Sequence, residues 1–361
     1  MKRTVLAGIL LICLLLPGCG LFDGTERVWM EPHPIPQATV SQQDVSAGDY
    51  AQLYSALGYL VESGTKQANI FVGRYDQQLL YSDMQRAMET IRAEHPLAAY
   101  AVSDITYTPG IQSNERVLVV NITYSHNEAE LKKIKTVAND AAAAEAVHTA
   151  LSNCEYGIVL LVQDYREQDF TQVVTDFALQ YPEQVMETPH VTENVYPDHG
   201  SARVVELKFQ YQNGRDTLRN IQTQVENLFK SAVFFVSSHQ SQQMRYARLY
   251  TWLMETNEYT VRTSVTPAYS LLLYGVGDSK AFASVFASLC RRMDLECTVI
   301  SGTKNGESWH WNLVRLDGAY YHLDLLQCRA DGMLSMKTDS QMGDYVWDYG
   351  AYPTSVGVTT E

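Results

Sequence analysis

One segment of the chain occurs twice, and this repeat constrains the fold more than any other feature of the sequence. The apolar and aromatic residues at 118–124 match those at 205–211 at a constant offset of 87. Further upstream, residues 83–96 match residues 169–182 at an offset of 86, so a single insertion separates the two registers. Two copies are too few to stack into a solenoid, which predicts two similar modules in tandem.

Each copy of the repeat is predicted to fold as a β-α-β-β-α unit. Apolar residues alternate with period two in the strands and recur near period 3.6 in the helices. Strand 69–72 would open the first unit and strand 157–162 the second. The closing helix of the first unit would carry Leu131, Ile134 and Ala138. Strands solvated on one face, with helices on the other, predict small α+β sandwiches that act as spacer or binding modules.

The N-terminal residues have the pattern of a secretory signal. Lys2 and Arg3 precede an apolar run at 5–16, which is too short to span a bilayer. Leu-Pro-Gly-Cys follows and resembles the bacterial lipobox, whose cysteine carries the lipid. The alternative is an ordinary cleaved signal followed by a chance cysteine. We expect residues 1–18 to be a lipoprotein signal peptide and Cys19 to anchor the mature chain in the membrane, on its extracytoplasmic face.

The segment after the signal and the charge of the chain narrow the choice of partners. Residues 19–45 contain several Pro and Gln residues without apolar periodicity, which predicts a flexible stalk. A formal net charge of −14 argues against nucleic acid as a partner. It also implies that the lipid, rather than a basic patch, holds the protein at the membrane.

The cysteines beyond Cys19 show no spacing typical of a metal site, such as C-x-x-C. We therefore predict neither a metal nor another cofactor. Cys290 lies on the apolar face of a predicted helix and Cys297 in the following strand, so buried free thiols are expected. A disulfide stays open as an alternative, because spacing alone assigns none. The four remaining cysteines are Cys154, Cys290, Cys297 and Cys328.

The last third of the chain carries an ordered series of motifs. A helical face around Tyr246 and Leu249 precedes the segments GVGDSKAFASVFASLC, TVISG and ESWHWNLVRLDGAYYHLD. In this order they resemble the core of the transglutaminase-like superfamily. The resemblance implies a papain-like α+β domain in which a Cys opens a helix, a His lies on the next strand, and an Asp on the strand after it orients the His.

The expected fold class is thus α+β throughout, with tandem βαββα-type modules followed by a transglutaminase-like (papain-like) domain. The expected boundaries are 46–152 for the first module, 153–240 for the second and 241–361 for the transglutaminase-like domain.

The resemblance assigns the three catalytic positions to Ser279, Trp309 and Asp324. The nucleophile and the base of the family are therefore both replaced. A serine hydroxyl is much less acidic than a thiol and needs an adjacent general base to attack a carbonyl. Asp278 and Ser279 are also preferred residues at a helix N-terminus, so either could simply cap the helix.

His310 is the nearest substitute for the missing base. Neighbouring side chains of a strand point to opposite faces, so His310 should face away from Trp309 unless a β-bulge turns it inward. Asp324 would then have no imidazole to orient, and we expect it to accept a hydrogen bond from strand backbone or a tyrosine. His322, two residues earlier, is interpreted as structural.

These observations favour a surface-tethered lipoprotein whose degenerate, non-catalytic domain serves binding or assembly at the cell envelope. A protein, peptide or cell-wall polymer is the expected ligand. The alternative is an active acyl-transfer or peptidase-like enzyme that uses Ser279, a bulged His310 and Asp324. A solute-binding lipoprotein is disfavoured, because the repeat unit is too small for one large doubly wound lobe.

Overall fold

The computed structural model of the protein describes residues 45–234 and 236–356. The predicted signal peptide, the lipid-bearing Cys19 and nearly all of the predicted stalk lie outside the described residues. No helix of the described part is both long enough and apolar enough to cross a membrane.

The first unit of the fold is a four-stranded sheet with strand order β1-β2-β4-β3, covered by helices. Its first two strands run parallel, and the other neighbouring pairs are antiparallel. Met84, Ile91, Ile70 and Leu118 meet in its core, fully shielded from solvent. The elements are β1 (Val45–Ser46), α1 (Tyr50–Glu62), β2 (Gln67–Phe71), α2 (Leu80–Glu94), α3 (Pro96–Ala101), β3 (Val102–Gln112) and β4 (Glu115–Tyr124).

The second unit has the same topology, with strand order β5-β6-β8-β7 and one parallel pair at the start. Identical strand order in the two sheets is the structural counterpart of the repeat in the sequence. The elements are α4 (Glu128–Leu131), β5 (Lys135–Asn139), α5 (Asp140–Ser152), β6 (Gly157–Asp164), α6 (Phe170–Gln180), β7 (His190–Tyr196), β8 (Arg203–Gln210) and α7 (Arg215–Val233).

The helix predicted to carry Leu131, Ile134 and Ala138 does not form as one element. A capping box of Asn127 and Glu130 starts α4, but the helix ends after one turn, at Leu131. The chain then enters β5, which pairs in parallel with β6. Ladder hydrogen bonds to a neighbouring strand outweigh the weak local periodicity of this stretch.

Each unit consequently begins with a strand and a helix that the prediction lacks. The second unit then continues as β6-α6-β7-β8-α7, which is the predicted β-α-β-β-α order, whereas the first unit lacks the predicted closing helix. The prediction missed β1 and α1 in the first unit and β5 and α5 in the second. The last strand of the first sheet ends at Tyr124, and the first strand of the second sheet begins at Lys135. The predicted boundary between residues 152 and 153 therefore falls inside the second unit. The physical reason is that β5 is a short edge strand with little apolar content, which leaves no alternating pattern to read.

The third unit places a central helix against a four-stranded sheet of order β13-β12-β11-β14. A short parallel pair, β9 and β10, leads into that helix. The elements are α8 (Gln242–Thr256), β9 (Glu258–Tyr259), α9 (Pro267–Tyr274), β10 (Val276–Gly277), α10 (Ser279–Arg292), β11 (Cys297–Lys304), β12 (Glu307–Leu316), β13 (Ala319–Leu323), α11 (Leu325–Asp331), a 3₁₀ turn (Asp339–Gln341) and β14 (Tyr345–Trp347).

The central helix α10 is buried on nearly all sides, because it packs on the sheet and on the helix of the preceding unit. Phe282 and Phe286 of α10 share one hydrophobic core with Val225 and Phe229 of α7. The second unit also contacts strand β11 directly. The Gln180 side-chain amide donates to the Val299 carbonyl at 3.0 Å and accepts from the Val299 N–H at 3.1 Å. The second unit therefore supports the helix on which the candidate site is built.

Candidate functional site

The start of α10 is fixed by a side-chain cap. Asp278 is the N-cap residue, and its Oδ1 accepts a hydrogen bond from the Ala281 N–H at 2.9 Å. Its Oδ2 accepts from the Thr263 hydroxyl at 2.7 Å. Ser279 is the first helical residue and is buried, with its Oγ accepting from the His310 backbone N–H at 3.3 Å. Of the two candidate caps, Asp278 performs the capping, which leaves Ser279 facing the strand.

Strand β12 pairs with β11 without a bulge. Eight consecutive residue pairs run from Cys297 to Lys304 in unbroken register, including the pair of Gly302 with Trp309. Asn312 has the same parity as His310, and its side-chain amide donates to the Ala283 carbonyl of α10 at 2.9 Å. His310 therefore lies on the α10 side of the sheet, and Trp309 lies on the other face.

Trp309 and Asp324 are hydrogen-bonded to each other. The indole Nε1–H donates to Asp324 Oδ2 at 2.9 Å. An imidazole at position 309 would use one ring N–H for the same purpose. The indole thus makes the orienting contact to the carboxylate, but its nitrogen is a donor only and offers no lone pair to take up a proton.

Two further donors converge on the same carboxylate oxygen of Asp324. Lys304 Nζ lies 3.1 Å from Oδ2 and the Tyr345 hydroxyl lies 2.7 Å from it. The other oxygen, Oδ1, accepts from the backbone N–H groups of Leu326 and Gln327 and so caps α11. Asp324 is 7% exposed, so this set of partners compensates the loss of water around a buried charge. Burial and the adjacent carboxylate together raise the pKa of Tyr345 above its usual range.

The ring of His310 is separated from this hydrogen-bond network. Among the residues that the structure describes, no hydrogen bond joins its imidazole to Ser279 or Asp324. Burial lowers the pKa of His310 to about 4, and the neighbouring ammonium of Lys280 acts in the same direction. The imidazole is neutral at pH 7, and its low pKa makes it a weak proton acceptor.

Comparison with protein families supports the resemblance seen in the sequence. Residues 232–325 match the family model of the transglutaminase-like superfamily. The third unit contains a transglutaminase-like domain.

Three solved structures are similar to the chain at low identity. One is a proposed cysteine protease from Cytophaga hutchinsonii (14% identity, 41% of this chain and 65% of that chain, TM-score 0.26). A second is a TGase (8% identity, 58% and 65%, TM-score 0.26). A third is a proposed protease from Parabacteroides distasonis ATCC 8503 (7% identity, 71% and 39%, TM-score 0.24). The chain spans less than two thirds of each neighbour's length. Among curated proteins no significant match is found.

In the transglutaminase-like domain, the structure brings two of the three predicted positions into direct contact. Trp309, at the predicted base position, bonds to Asp324, at the predicted acid position. Ser279, at the predicted nucleophile position, contacts the strand one residue after Trp309, at the His310 backbone. The expectation that Asp324 would accept from a tyrosine agrees with its bond to Tyr345, whereas its backbone partners lie in α11 rather than in a strand.

Lys304 and Tyr345 are the site residues that the sequence reasoning missed. They lie 20 and 21 residues from Asp324 along the chain, Lys304 at the end of β11 and Tyr345 at the start of β14. Neither belongs to a motif of the transglutaminase-like resemblance. Only a chemical argument could have pointed to them. A buried aspartate that has no histidine beside it needs a cation or other hydrogen-bond donors nearby.

His322 has a structural role in the domain. Its Nδ1 accepts from the Trp311 indole N–H at 2.9 Å, while its Nε2 lies 2.8 Å from Asp339. Both ring nitrogens of the buried His322 are thereby engaged, one by buried Trp311 and the other by partly buried Asp339, in agreement with the structural interpretation. All four cysteines in the described part are free thiols, and only Cys297 is not fully buried.

A cleft of about 520 Å³ opens beside Trp309. Tyr259, which is 43% exposed, has its ring centroid 5.7 Å from that of Trp309, at an interplanar angle of 51°. The cleft is lined by Glu258, Tyr259, Lys304, Trp309, Leu326, Gln327, Arg329 and Ala330. Its volume falls within the range of small-molecule binding sites.

Proposed function

We propose that this protein is a lipoprotein of the bacterial cell envelope whose transglutaminase-like domain is non-catalytic and serves binding or assembly. The observation that carries the proposal is the hydrogen bond from the Trp309 indole to Asp324 at 2.9 Å. It commits the acid of the family's triad to a residue that cannot act as a base.

The environment of Ser279 supports a non-catalytic role as well. Its hydroxyl accepts a hydrogen bond from a backbone N–H and has no general base bonded to it among the described residues. A serine hydroxyl at the start of a helix is not acidic enough to ionise unaided, unlike the family's cysteine. Acyl transfer would therefore lack both an activated nucleophile and a proton acceptor.

The envelope location in this proposal rests on the N-terminal sequence. Lys2 and Arg3, the short apolar run and the Leu-Pro-Gly-Cys ending support secretion and lipid attachment at Cys19. The formal net charge of −14 supports a lipid tether over an electrostatic one. The partner would be a protein, a peptide or a cell-wall polymer at the extracytoplasmic face.

A turnover assay on the full-length protein tests the non-catalytic role. Incorporation of a fluorescent primary amine into a glutamine-donor protein and hydrolysis of acyl esters are measured beside the Ser279→Ala variant. We expect both rates to equal those of the variant, at background. A rate above background that disappears in Ser279→Ala would contradict the proposal.

The competing function is an active enzyme with Ser279, His310 and Asp324. The position of His310 on the α10 side of the sheet, near the helix start, is the observation in its favour. No bulge is needed for this placement. Against the alternative, among the described residues Ser279 bonds to the His310 backbone and not to its ring, and Asp324 bonds to Trp309 rather than to His310. This alternative predicts that His310→Ala abolishes activity, whereas the proposed function predicts no activity to abolish.

A further inference from the structure

We propose that the cleft beside Trp309 binds a glycan whose sugar rings carry no charge. The inference rests on the proposed non-catalytic function and names the ligand class of the same site. The cleft is defined by the eight residues that line it and encloses about 520 Å³.

The aromatic side chains of the cleft provide a surface for a sugar ring. Tyr259 and Trp309 lie with ring centroids 5.7 Å apart and tilted by 51°, so they form two faces of an open corner. Leu326 and Ala330 add aliphatic surface to the lining. The apolar C–H face of a sugar ring packs against aromatic faces, while its hydroxyls remain free to bond at the edges.

The position that a cationic ligand would need in this cleft is already filled. Lys304 Nζ lies 4.9 Å from the Trp309 ring centroid and 5.2 Å from that of Tyr345. It also pairs with Asp324 at 3.1 Å and bonds to the Gln327 side-chain carbonyl at 2.7 Å. The protein's own ammonium thus lies over one face of the Trp309 ring and one face of the Tyr345 ring, and it neutralises the carboxylate that would attract an amine.

The remaining charges at the cleft balance each other. Lys304 and Asp324 form one pair, and the exposed Glu258 and Arg329 contribute opposite charges at the rim. A polyanion would meet the Glu258 carboxylate without a surplus of cations, so its desolvation would not be compensated. Hydroxyl groups suit this rim, because each can donate to a carboxylate and accept from a guanidinium.

Binding of neutral oligosaccharides to the full-length protein tests this inference. The probes are the hexamer of N-acetylglucosamine and cellohexaose, with polygalacturonate as the charged-glycan probe and a glutamine- and lysine-containing peptide as the other class. Titration calorimetry measures the Kd of each. We expect at least one neutral probe to bind and to outcompete polygalacturonate and the peptide by tenfold or more.

Two tyrosine variants locate the binding. Tyr259→Ala removes one aromatic face of the cleft and should weaken binding at least tenfold. The matched control is Tyr274→Ala, which removes a ring that is 66% exposed and lies outside the cleft lining, and it should leave the Kd unchanged. Circular dichroism and melting curves establish that both variants fold.

The inference is overturned if neither neutral probe binds, if polygalacturonate or the peptide binds more tightly, or if Tyr259→Ala binds as the parent does. Each of these results leaves the non-catalytic role standing, since that role is judged by turnover alone. Conversely, turnover by the parent protein that disappears in Ser279→Ala would contradict the proposed function, whatever the result of the sugar titration.

Discussion

At the scale of single residues, the buried carboxylate of Asp324 organises the site. Burying an ion is costly unless an opposite charge and hydrogen bonds replace the lost water. In an active member of the family, a histidine would supply part of this compensation. Here Trp309, Tyr345 and Lys304 supply it together, and the Trp309 indole, unlike an imidazole, offers no lone pair to accept a proton.

Replacing Lys304 tests how much Asp324 depends on it. Their side chains are 16% and 6% exposed, so Lys304→Met leaves a buried carboxylate without its cation. We expect the free energy of unfolding to fall by about 3 kcal/mol, as for other broken buried pairs. Urea denaturation at pH 7 measures the change.

Two companion variants separate charge loss from other causes. Lys304→Met combined with Asp324→Asn should recover most of the lost stability, because no uncompensated charge remains. Lys132→Met breaks an exposed pair with Glu128, 74% and 73% exposed, and should cost under about 0.5 kcal/mol. If Lys304→Met and Lys132→Met lower the free energy of unfolding equally, the buried pair contributes no more to stability than the exposed one.

His310 makes the stability of the fold depend on pH in a defined direction. Its pKa in the folded protein is about 4, against about 6.5 for an unfolded histidine. Between these values the unfolded chain binds the extra proton, so stability decreases as pH falls from 6.5 towards 4. Allowing for the partly exposed ring, His310 should account for about 2 kcal/mol of that decrease.

The comparison of the parent protein with His310→Asn isolates this contribution. His148 and His322 also have pKa values lowered by burial, but the parent and His310→Asn both contain them, so their contribution cancels in the comparison. Urea denaturation at several pH values should therefore give a shallower decrease below pH 6.5 in His310→Asn. Parallel curves would show that His310 titrates normally in the folded state.

Motif order and spacing along consecutive elements predict that Ser279 opens a helix and that Trp309 lies near Asp324, and both features are present in the structure. Strand parity likewise placed His310 on the face opposite to Trp309, and the unbroken register agrees. The roles of Lys304 and Tyr345 could not be predicted, since strand neighbours in space are distant in sequence.

At the scale of elements, the beginning of α10 sets the position of Ser279. Asp278 satisfies the Ala281 N–H and also bonds to the Thr263 hydroxyl, so it ties the helix to the preceding loop. Asp278→Ala should lower the free energy of unfolding by about 1–2 kcal/mol, while Asp278→Asn, which keeps an acceptor, should cost less. Thermal denaturation compares the two, and identical losses would argue against capping.

The repeat shows which elements a sequence pattern reveals. Strands β4 and β8 were found because alternating apolar residues mark a half-buried strand. The sequence predicts a helix around β5, because Leu131, Ile134 and Ala138 fit a helical spacing. Its pairing with β6 is a tertiary contact that no local pattern encodes.

At the scale of the whole molecule, helix α7 belongs to two units at once. It follows the last strand of the second sheet, yet Leu218, Ile221, Val225 and Phe229 lie in one core with the transglutaminase-like helices. The predicted boundary at 240 and 241 therefore divides a shared core. Full burial of such side chains contributes about 1.5–3 kcal/mol each, which together rivals the stability of a domain.

A fragment of residues 241–361 is accordingly expected not to fold by itself. It would expose the faces of α8 and α10 that α7 covers. A fragment of residues 125–361, which keeps the second sheet and α7, should fold and unfold in one cooperative transition. Circular dichroism and calorimetry distinguish the two fragments, and a cooperative transition in the shorter one would refute the shared core.

The central claim, a site without catalytic chemistry, is tested most directly by labelling Ser279. The full-length protein is treated with a serine-reactive fluorophosphonate and analysed by intact mass and peptide mapping, beside the Ser279→Ala variant. The indole at position 309 and the unactivated hydroxyl predict no adduct at Ser279. A stoichiometric adduct at Ser279 that is lost in His310→Ala would contradict the account.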